Sequence, residues 1–151
     1  MSHQEKNITA SLVTFTLILF YYLIRILNMI QAEGLVSTKL FRLWGIIIVL
    51  GIIGTIITTI FTHIIAAIMQ AIQTGEEDPK IEDIEDERDK LIDLKGTRIA
   101  YVASSFGVFL SMLAFVFGQP ALVMFSLLIF FGLFAQIVGD VSRLVLYRKG
   151  F

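Results

Sequence analysis

The residues that could do chemistry in this chain are few, because 56% of its 151 residues are hydrophobic. Only three acidic or basic side chains, Arg25, His63 and Asp140, interrupt or end its long apolar stretches. Ionisable groups at membrane depth are costly and often mark proton relays or ligand sites. A histidine can also change charge near neutral pH. His63 is therefore predicted either to bond a threonine or a backbone carbonyl, or to relay a proton or hold a ligand.

Asp140 ends the last apolar stretch, and Arg98 begins the one before it. A pair between them across a helical hairpin is predicted, with Arg143, three residues after Asp140, as the alternative partner. In one interpretation the pair is a structural lock, since opposite charges neutralise each other at such a site. In the other, Asp140 belongs to a polar cluster that opens to the cytoplasm and also contains Gln136, His63 and Tyr101.

Arg25 lies near the opposite end of the first apolar stretch, about one turn before Asn28. An arginine at that depth can anchor the helix by extending its head group to the interface. Arg25 and Asn28 together are alternatively predicted to bind an anionic ligand or a lipid headgroup. Aromatic residues favour membrane interfaces, and Tyr21, Tyr22 and Trp44 are expected there.

Several kinds of site are excluded by residue type. The chain has no cysteine and only 2 histidines, so zinc and iron–sulfur sites are not expected. Neither a metal nor a cofactor is predicted. The net charge of −1 gives no basis for nucleic-acid binding. No G-x-S-x-G or H-E-x-x-H motif is present, so an enzyme is not expected.

Four apolar stretches are long enough to cross a bilayer as helices, which requires about 20 residues each. They predict an all-α, four-helix membrane bundle in a single domain, 1–151, with a mean hydropathy of +0.82. The predicted spans are residues 8–30, 43–69, 99–117 and 121–140. Only Gly118-Gln119-Pro120 separates the last two spans, which predicts a tight antiparallel hairpin.

The basic residues predict the orientation. With four spans, both termini and residues 70–98 lie on one side, which carries nine of the 12 lysines and arginines. The positive-inside rule makes that side cytoplasmic. The sequence therefore predicts a multi-pass protein of the cell inner (plasma) membrane, with cytoplasmic termini.

Acidic residues are concentrated between Glu76 and Asp93. Residues 70–98 are predicted to form a cytoplasmic helical segment. The second helix is predicted to continue to Thr74 and to end at Gly75, and a new helix, with Asp78 as its N-cap and Pro79 at its first position, leads into the third span. The carboxylates do not follow the spacing of a calcium loop. The acids are interpreted as a solvated helix face or as a docking surface for a basic partner, with these candidate contacts: Glu82, Glu85, Asp86 and Asp89.

The run DERDKLIDLKGTRIAY, residues 86–101, resembles a motif of a family of small prokaryotic membrane proteins of unknown function. The resemblance extends to the general four-span layout. It implies a prokaryotic membrane protein with this topology, and it implies no activity. The residues that carry it are Asp86, Glu87, Arg88, Asp89, Ile92, Lys95, Arg98 and Tyr101.

Small residues at helical spacing predict where the helices approach closely. The third span has the longest such row, which predicts that this span is packed at the centre of the bundle. The row could also serve self-association between copies. Its members are Ala100, Ser104, Gly107, Ser111, Ala114 and Gly118.

Two functions are therefore carried forward from the sequence. One is a membrane interaction, scaffold or regulatory protein that binds a membrane or cytoplasmic protein partner. The alternative is a small homo-oligomeric transporter or channel with a polar cluster near the cytoplasmic side. In both, membrane lipid surrounds the helices.

Overall fold

The computed structural model describes residues 3–32, 34–74 and 87–149, and this part of the chain forms four α-helices. Their bounds are α1 His3–Ala32, α2 Ser37–Thr74, α3 Glu87–Val116 and α4 Ala121–Lys149. Each contains a segment long and apolar enough to cross a membrane. The prediction of an all-α chain with four helices of spanning length is confirmed.

The two short connections each contain a glycine in the left-handed region. Gly34 has a φ of 77° and Gly118 a φ of 86°, a conformation that side chains with a Cβ rarely adopt. After α3, the backbone N–H of Gln119 donates to the carbonyl of Ala114 at 3.2 Å, which closes the helix end as a Schellman-type cap. The predicted tight hairpin between α3 and α4 is confirmed.

Helix α4, rather than α3, is the central element. It packs on both α1 and α3, whereas α2 packs mainly on α1 and touches α4 less. The prediction that the third span is central is therefore wrong. The physical reason is that the small residues of α3 form one face only, while α4 has residues on several faces that neighbours cover, namely Leu133, Ala135, Gly139 and Asp140.

The small-residue row of α3 lies against α4 within the same chain. Gly107 and Ser111 are buried there, and a Cβ placed on Gly107 would overlap the Cβ of Phe131. On the other side of the contact, a Cβ on Gly139 would come within 2.8 Å of the Cβ of Ala100. Glycine is thus required at both positions for the helices to approach so closely.

We call the end of the bundle with residues 34–36 and 117–120 the loop end, and the opposite one the terminal end. The apolar core lies toward the loop end and contains Ile18, Tyr22, Ile26, Leu40, Leu43, Ile47 and Leu133. Tyr22 is fully buried there, and its hydroxyl donates to the carbonyl of Ser126 at 2.7 Å. The sequence predicts that Tyr22 is an interfacial aromatic; its hydroxyl is bonded to α4 within the bundle, and its depth in a membrane stays a prediction.

Candidate functional site

A polar cavity of about 360 Å³ lies at the terminal end, where the apolar core stops. We call it the terminal cavity. All four helices contribute to its wall, from Asp89 of α3 and Tyr147 of α4 to Thr14 of α1 and Thr58 of α2. Its volume lies in the range of small-molecule sites. The bundle is thus divided into an apolar half and a half that can admit a polar solute.

The most buried charged group of the cavity wall is Asp140, which is 2% exposed. Its Oδ2 accepts a hydrogen bond from Ser11 Oγ at 2.7 Å. Its Oδ1 accepts hydrogen bonds from Arg143 Nη1 at 2.9 Å and from Gln136 Nε2 at 3.4 Å. The carboxylate therefore joins α1 to α4, and a buried charge of this kind requires such partners to persist.

Arg143 connects this carboxylate to α3. Its side chain is 15% exposed. Its Nε donates to Asp93 Oδ1 at 2.8 Å and its Nη2 to Thr97 Oγ1 at 2.8 Å. One guanidinium thus binds two carboxylates and a hydroxyl, using the fixed fork of donors that distinguishes arginine from lysine.

A glycine on α3 makes room for this arginine. Gly96 is buried, and a Cβ at this position would overlap Arg143 Cγ. The aliphatic part of Arg143 therefore crosses α3 at Gly96, which allows the guanidinium to reach both Asp93 and Thr97. Gly96 thus allows Arg143 to reach its hydrogen-bond partners, although the glycine itself has no polar side chain.

The deep part of the cavity is lined by hydroxyl groups. Thr14 Oγ1 lies 3.5 Å from Thr58 Oγ1, across the contact between α1 and α2. Thr14 Oγ1 also donates to the carbonyl of Ala10 at 2.9 Å. Close approach at this point depends on Gly54, where a Cβ would come within 2.6 Å of Thr14 Cγ2.

The charged side chains of the wall are mostly acidic. Asp89, Asp93 and Asp140 carry three formal negative charges, against one positive charge on Arg143. Asp89 accepts a hydrogen bond from the hydroxyl of Tyr147 at 2.7 Å. Since nearby negative charge favours cations, the arrangement is suited to binding a small polar solute that carries positive charge.

The structure brings together part of the predicted polar cluster. Asp140 and Gln136 are bonded to each other, as described above. Tyr101 is 74% exposed on the outer face of α3 and does not line the cavity. The side chain of His63 lies outside the described part of the chain.

Of the two partners predicted for Asp140, it is Arg143 that binds the carboxylate. Arg98 is exposed, and Asp140 is held by donors from α1 and α4. The interpretation of the Asp140–Arg98 pair as a lock is therefore wrong. The α3 positions that face Gly139 and Arg143 are Gly96 and Ala100. Arg98 is two residues from each and therefore lies on a different face of α3.

Two members of the site had little signal in the sequence. Arg143 could have been preferred from its i+3 spacing to Asp140. Ser11 had no such signal, because only the packing of α1 on α4 places its hydroxyl beside Asp140.

The predicted docking surface falls mostly outside the described residues, where Glu82, Glu85 and Asp86 lie. Asp89 is described, and it is half-buried against Tyr147 rather than presented on an open face. In the described part of the chain no group of three histidine, cysteine or acidic residues could hold a metal ion.

No protein-family model matches the chain, and comparison with curated proteins and with solved structures gives no match. The resemblance of residues 86–101 to a membrane protein family therefore stays a prediction.

Proposed function

We propose that this protein is a multi-pass membrane protein that binds a small, positively charged polar solute in the terminal cavity and acts as a small transporter or channel subunit. The observation that carries the proposal is the terminal cavity, with the buried Asp140 in its wall. Ligand sites typically combine a concave shape with a few converging polar groups.

Insertion in a membrane is supported by the outer surface of the bundle. Large apolar side chains are exposed along every helix, for example Phe20, Ile57, Phe109 and Phe125. A soluble monomer rarely exposes apolar patches of this extent. In a lipid bilayer the same side chains are in a favourable environment, and the hydroxyl-lined cavity is where water would enter.

The orientation in the proposal has cytoplasmic termini in the plasma membrane. It is supported by the excess of lysine and arginine on the terminal side. The terminal cavity then opens toward the cytoplasm. Along α1 its wall extends from Gln4 to Phe15, about half of the helix, so complete passage requires a rearrangement of helices or a second copy of the chain.

A transport assay with the purified full-length chain in proteoliposomes tests the proposal. Currents on a solid-supported membrane would be recorded after rapid addition of ethylammonium, tetramethylammonium, acetate or glucose. The wild type is expected to respond to the cations. Asp140→Asn keeps the side-chain shape and removes one negative charge, so its response is expected to fall by at least about tenfold.

Two variants make this assay selective. Glu87→Gln removes an exposed carboxylate outside the cavity wall and is expected to behave as the wild type. Thr58→Val removes a hydroxyl from the wall without touching Asp140, and a reduced response is expected. The absence of any response to the four solutes, or a response that Asp140→Asn leaves unchanged, would count against the proposal.

An interaction or regulatory role is a second proposal, and one observation favours it. Glu87 and Asp93 are exposed at the terminal end, where they continue the acidic stretch of the sequence. A basic partner protein would bind these exposed carboxylates, and Asp140 would then be dispensable for function. The two proposals are separated by Asp140, on which the transport role depends, and by Glu87, which lies outside the cavity wall; Asp93 contributes to both.

A further inference from the structure

A second cavity lies at the loop end, between α1 and α2, with a volume of about 350 Å³. We call it the loop-end cavity. Its polar lining consists of Arg25 and Asn28 from α1 and Lys39 and Arg42 from α2. It shares none of its lining residues with the terminal cavity.

One stripe of each helix forms this wall. On α1 the lining residues are Arg25, Asn28, Met29 and Ala32; on α2 they are Lys39, Arg42, Leu43 and Ile46. Both sets have the spacing i, i+3, i+4, i+7, which places four side chains on the same face of a helix. The cations therefore share the space between the two antiparallel helices rather than pointing in unrelated directions.

The charge at this end is strongly one-sided. Three basic residues line the cavity, and none of its lining residues is acidic. In the whole sequence the only acidic residue between positions 6 and 76 is Glu33, which lies outside the described residues. Arg25 and Arg42 both present positive charge to this cavity, and an anion bound between them would be attracted to both.

We propose that the loop-end cavity binds a phosphate group. Arginine guanidinium groups and phosphate oxygens form strong, charge-assisted and often bidentate hydrogen bonds, and Asn28 adds an amide donor. Basic pockets between transmembrane helices bind phosphate-bearing lipid headgroups. The phosphate belongs either to an anionic membrane lipid or to a free phosphate ion.

The lower wall of the cavity favours a lipid as the source. Ile46, which is 38% exposed, and the half-buried Met29 line the cavity together with the cationic side chains and offer apolar surface to an acyl chain, whereas Leu43 belongs to the buried apolar core. Arg25 on α1 and Ile46 on α2 are the lining residues farthest from the connection between the two helices. A charged and an apolar side chain therefore lie together at the end of the cavity that is nearest the middle of the bundle. The lipid source rests on the proposed membrane insertion, whereas phosphate binding as such does not depend on it or on the terminal cavity.

Native mass spectrometry of the full-length chain, released from phosphatidylcholine nanodiscs that also contain phosphatidylglycerol, tests the lipid source. The wild type is expected to retain phosphatidylglycerol in preference to phosphatidylcholine. In the double variant Arg25→Gln/Arg42→Gln this preference is expected to fall at least about tenfold. The matched control Arg98→Gln/Arg148→Gln removes two exposed arginines at the terminal end and is expected to keep the preference.

A parallel measurement addresses free phosphate. The melting temperature of the lipid-depleted protein in a neutral detergent would be compared in inorganic phosphate and in chloride at equal ionic strength. Stabilisation by phosphate that requires Arg25 and Arg42, without preference for phosphatidylglycerol, would support the same site with free phosphate as its ligand. Arg25→Lys/Arg42→Lys keeps the charges and is expected to retain part of the binding, so it serves as the test if the glutamine variant does not fold.

The proposal would be overturned if neither phosphatidylglycerol retention nor stabilisation by phosphate depended on Arg25 and Arg42. It would also be overturned if the terminal-end control lost binding to the same extent, because net charge rather than the cavity would then be responsible. Failure of the transport assay would leave this test unaffected, since Asp140 and the loop-end cavity lie at opposite ends of the bundle.

Discussion

Replacement of Asp140 by alanine is expected to destabilise the protein by about 3 kcal/mol, at the lower end of the range for breaking a buried ion pair. The variant leaves Ser11, Gln136 and Arg143 without their shared acceptor. The loss stays at the lower end because Asp93 and Thr97 continue to bind the guanidinium. The measurement is the free energy of unfolding in mixed micelles, by titration with a denaturing detergent.

Asp93→Ala is the matched control for this prediction. Asp93 binds the same arginine, but its side chain is 69% exposed. Exposed ion pairs contribute about 1 kcal/mol or less, so this variant is expected to be close to the wild type. The double variant Asp140→Ala/Arg143→Ala is expected to be more stable than the sum of the single variants implies, since it does not leave Asp140 buried without its cationic partner, as Arg143→Ala alone does. If Asp140→Ala and Asp93→Ala lowered the free energy of unfolding equally, the buried contacts of Asp140 would not be the more important ones for stability.

The second large effect is expected at Gly107. Gly107→Ala places a methyl group where Phe131 Cβ and Cγ lie. The Cβ of Phe131 is attached to the backbone of α4 and cannot rotate away, so the two helices have to separate. Overpacking of this kind lowers the free energy of unfolding by about 1–3 kcal/mol. The same unfolding titration measures the loss, and cross-linking between introduced cysteines on α3 and α4 would report the change in helix separation.

Gly132→Ala is the control for helix propensity. Gly132 lies on α4 as well, but a Cβ there meets no atom within 4 Å. Since alanine favours helix over glycine, this variant is expected to be neutral or more stable. If Gly107→Ala were as stable as Gly132→Ala, α3 and α4 would not be in close contact at Gly107.

The sequence predicted the helices because hydrophobic length is a local property. Four stretches of sufficient length, and the glycine and proline between the last two, determined the elements and the hairpin. The small-residue row on α3 correctly indicated a close contact. It could not indicate which helix is central, because that depends on how many faces of a helix are covered by others.

The site was harder to predict, because its members come from separate helices. Gln136 and Asp140 were found as polar residues in an apolar stretch, where each is conspicuous. Tyr101 and Arg98 were conspicuous for the same reason, but both are exposed. Whether a residue of α3 is buried depends on which face of α3 is turned toward α4. The close contacts at Gly96, Gly107 and Gly139 determine that face, and the periodicity of the sequence alone does not predict it.

The two ends of the bundle have opposite electrostatic character. Among the charged side chains, acids predominate in the wall of the terminal cavity, whereas those in the wall of the loop-end cavity are all basic. Between them lies the apolar core around Tyr22 and Leu133. A positively charged solute would therefore be held at the terminal end and repelled at the loop end, which agrees with binding on one side of the core.

The most direct test of a membrane-embedded bundle with a water-filled cavity is the labelling of single cysteines. The chain has no cysteine of its own, so one introduced thiol reports one position. Thr14 lines the terminal cavity, whereas its neighbour Val13 is 53% exposed on the outer face of α1. Thr14→Cys and Val13→Cys would be treated in sealed vesicles of known orientation with a membrane-impermeant, cationic methanethiosulfonate reagent.

Thr14→Cys is expected to react when the reagent is on the cytoplasmic side, and Val13→Cys is expected not to react from either side. A thiol in water ionises and reacts, whereas one in lipid stays protonated. Rapid reaction of Val13→Cys would mean that the outer face of α1 is in water and that the protein is not inserted as proposed. No reaction of Thr14→Cys, or reaction from the opposite side alone, would contradict a polar cavity open to the cytoplasm.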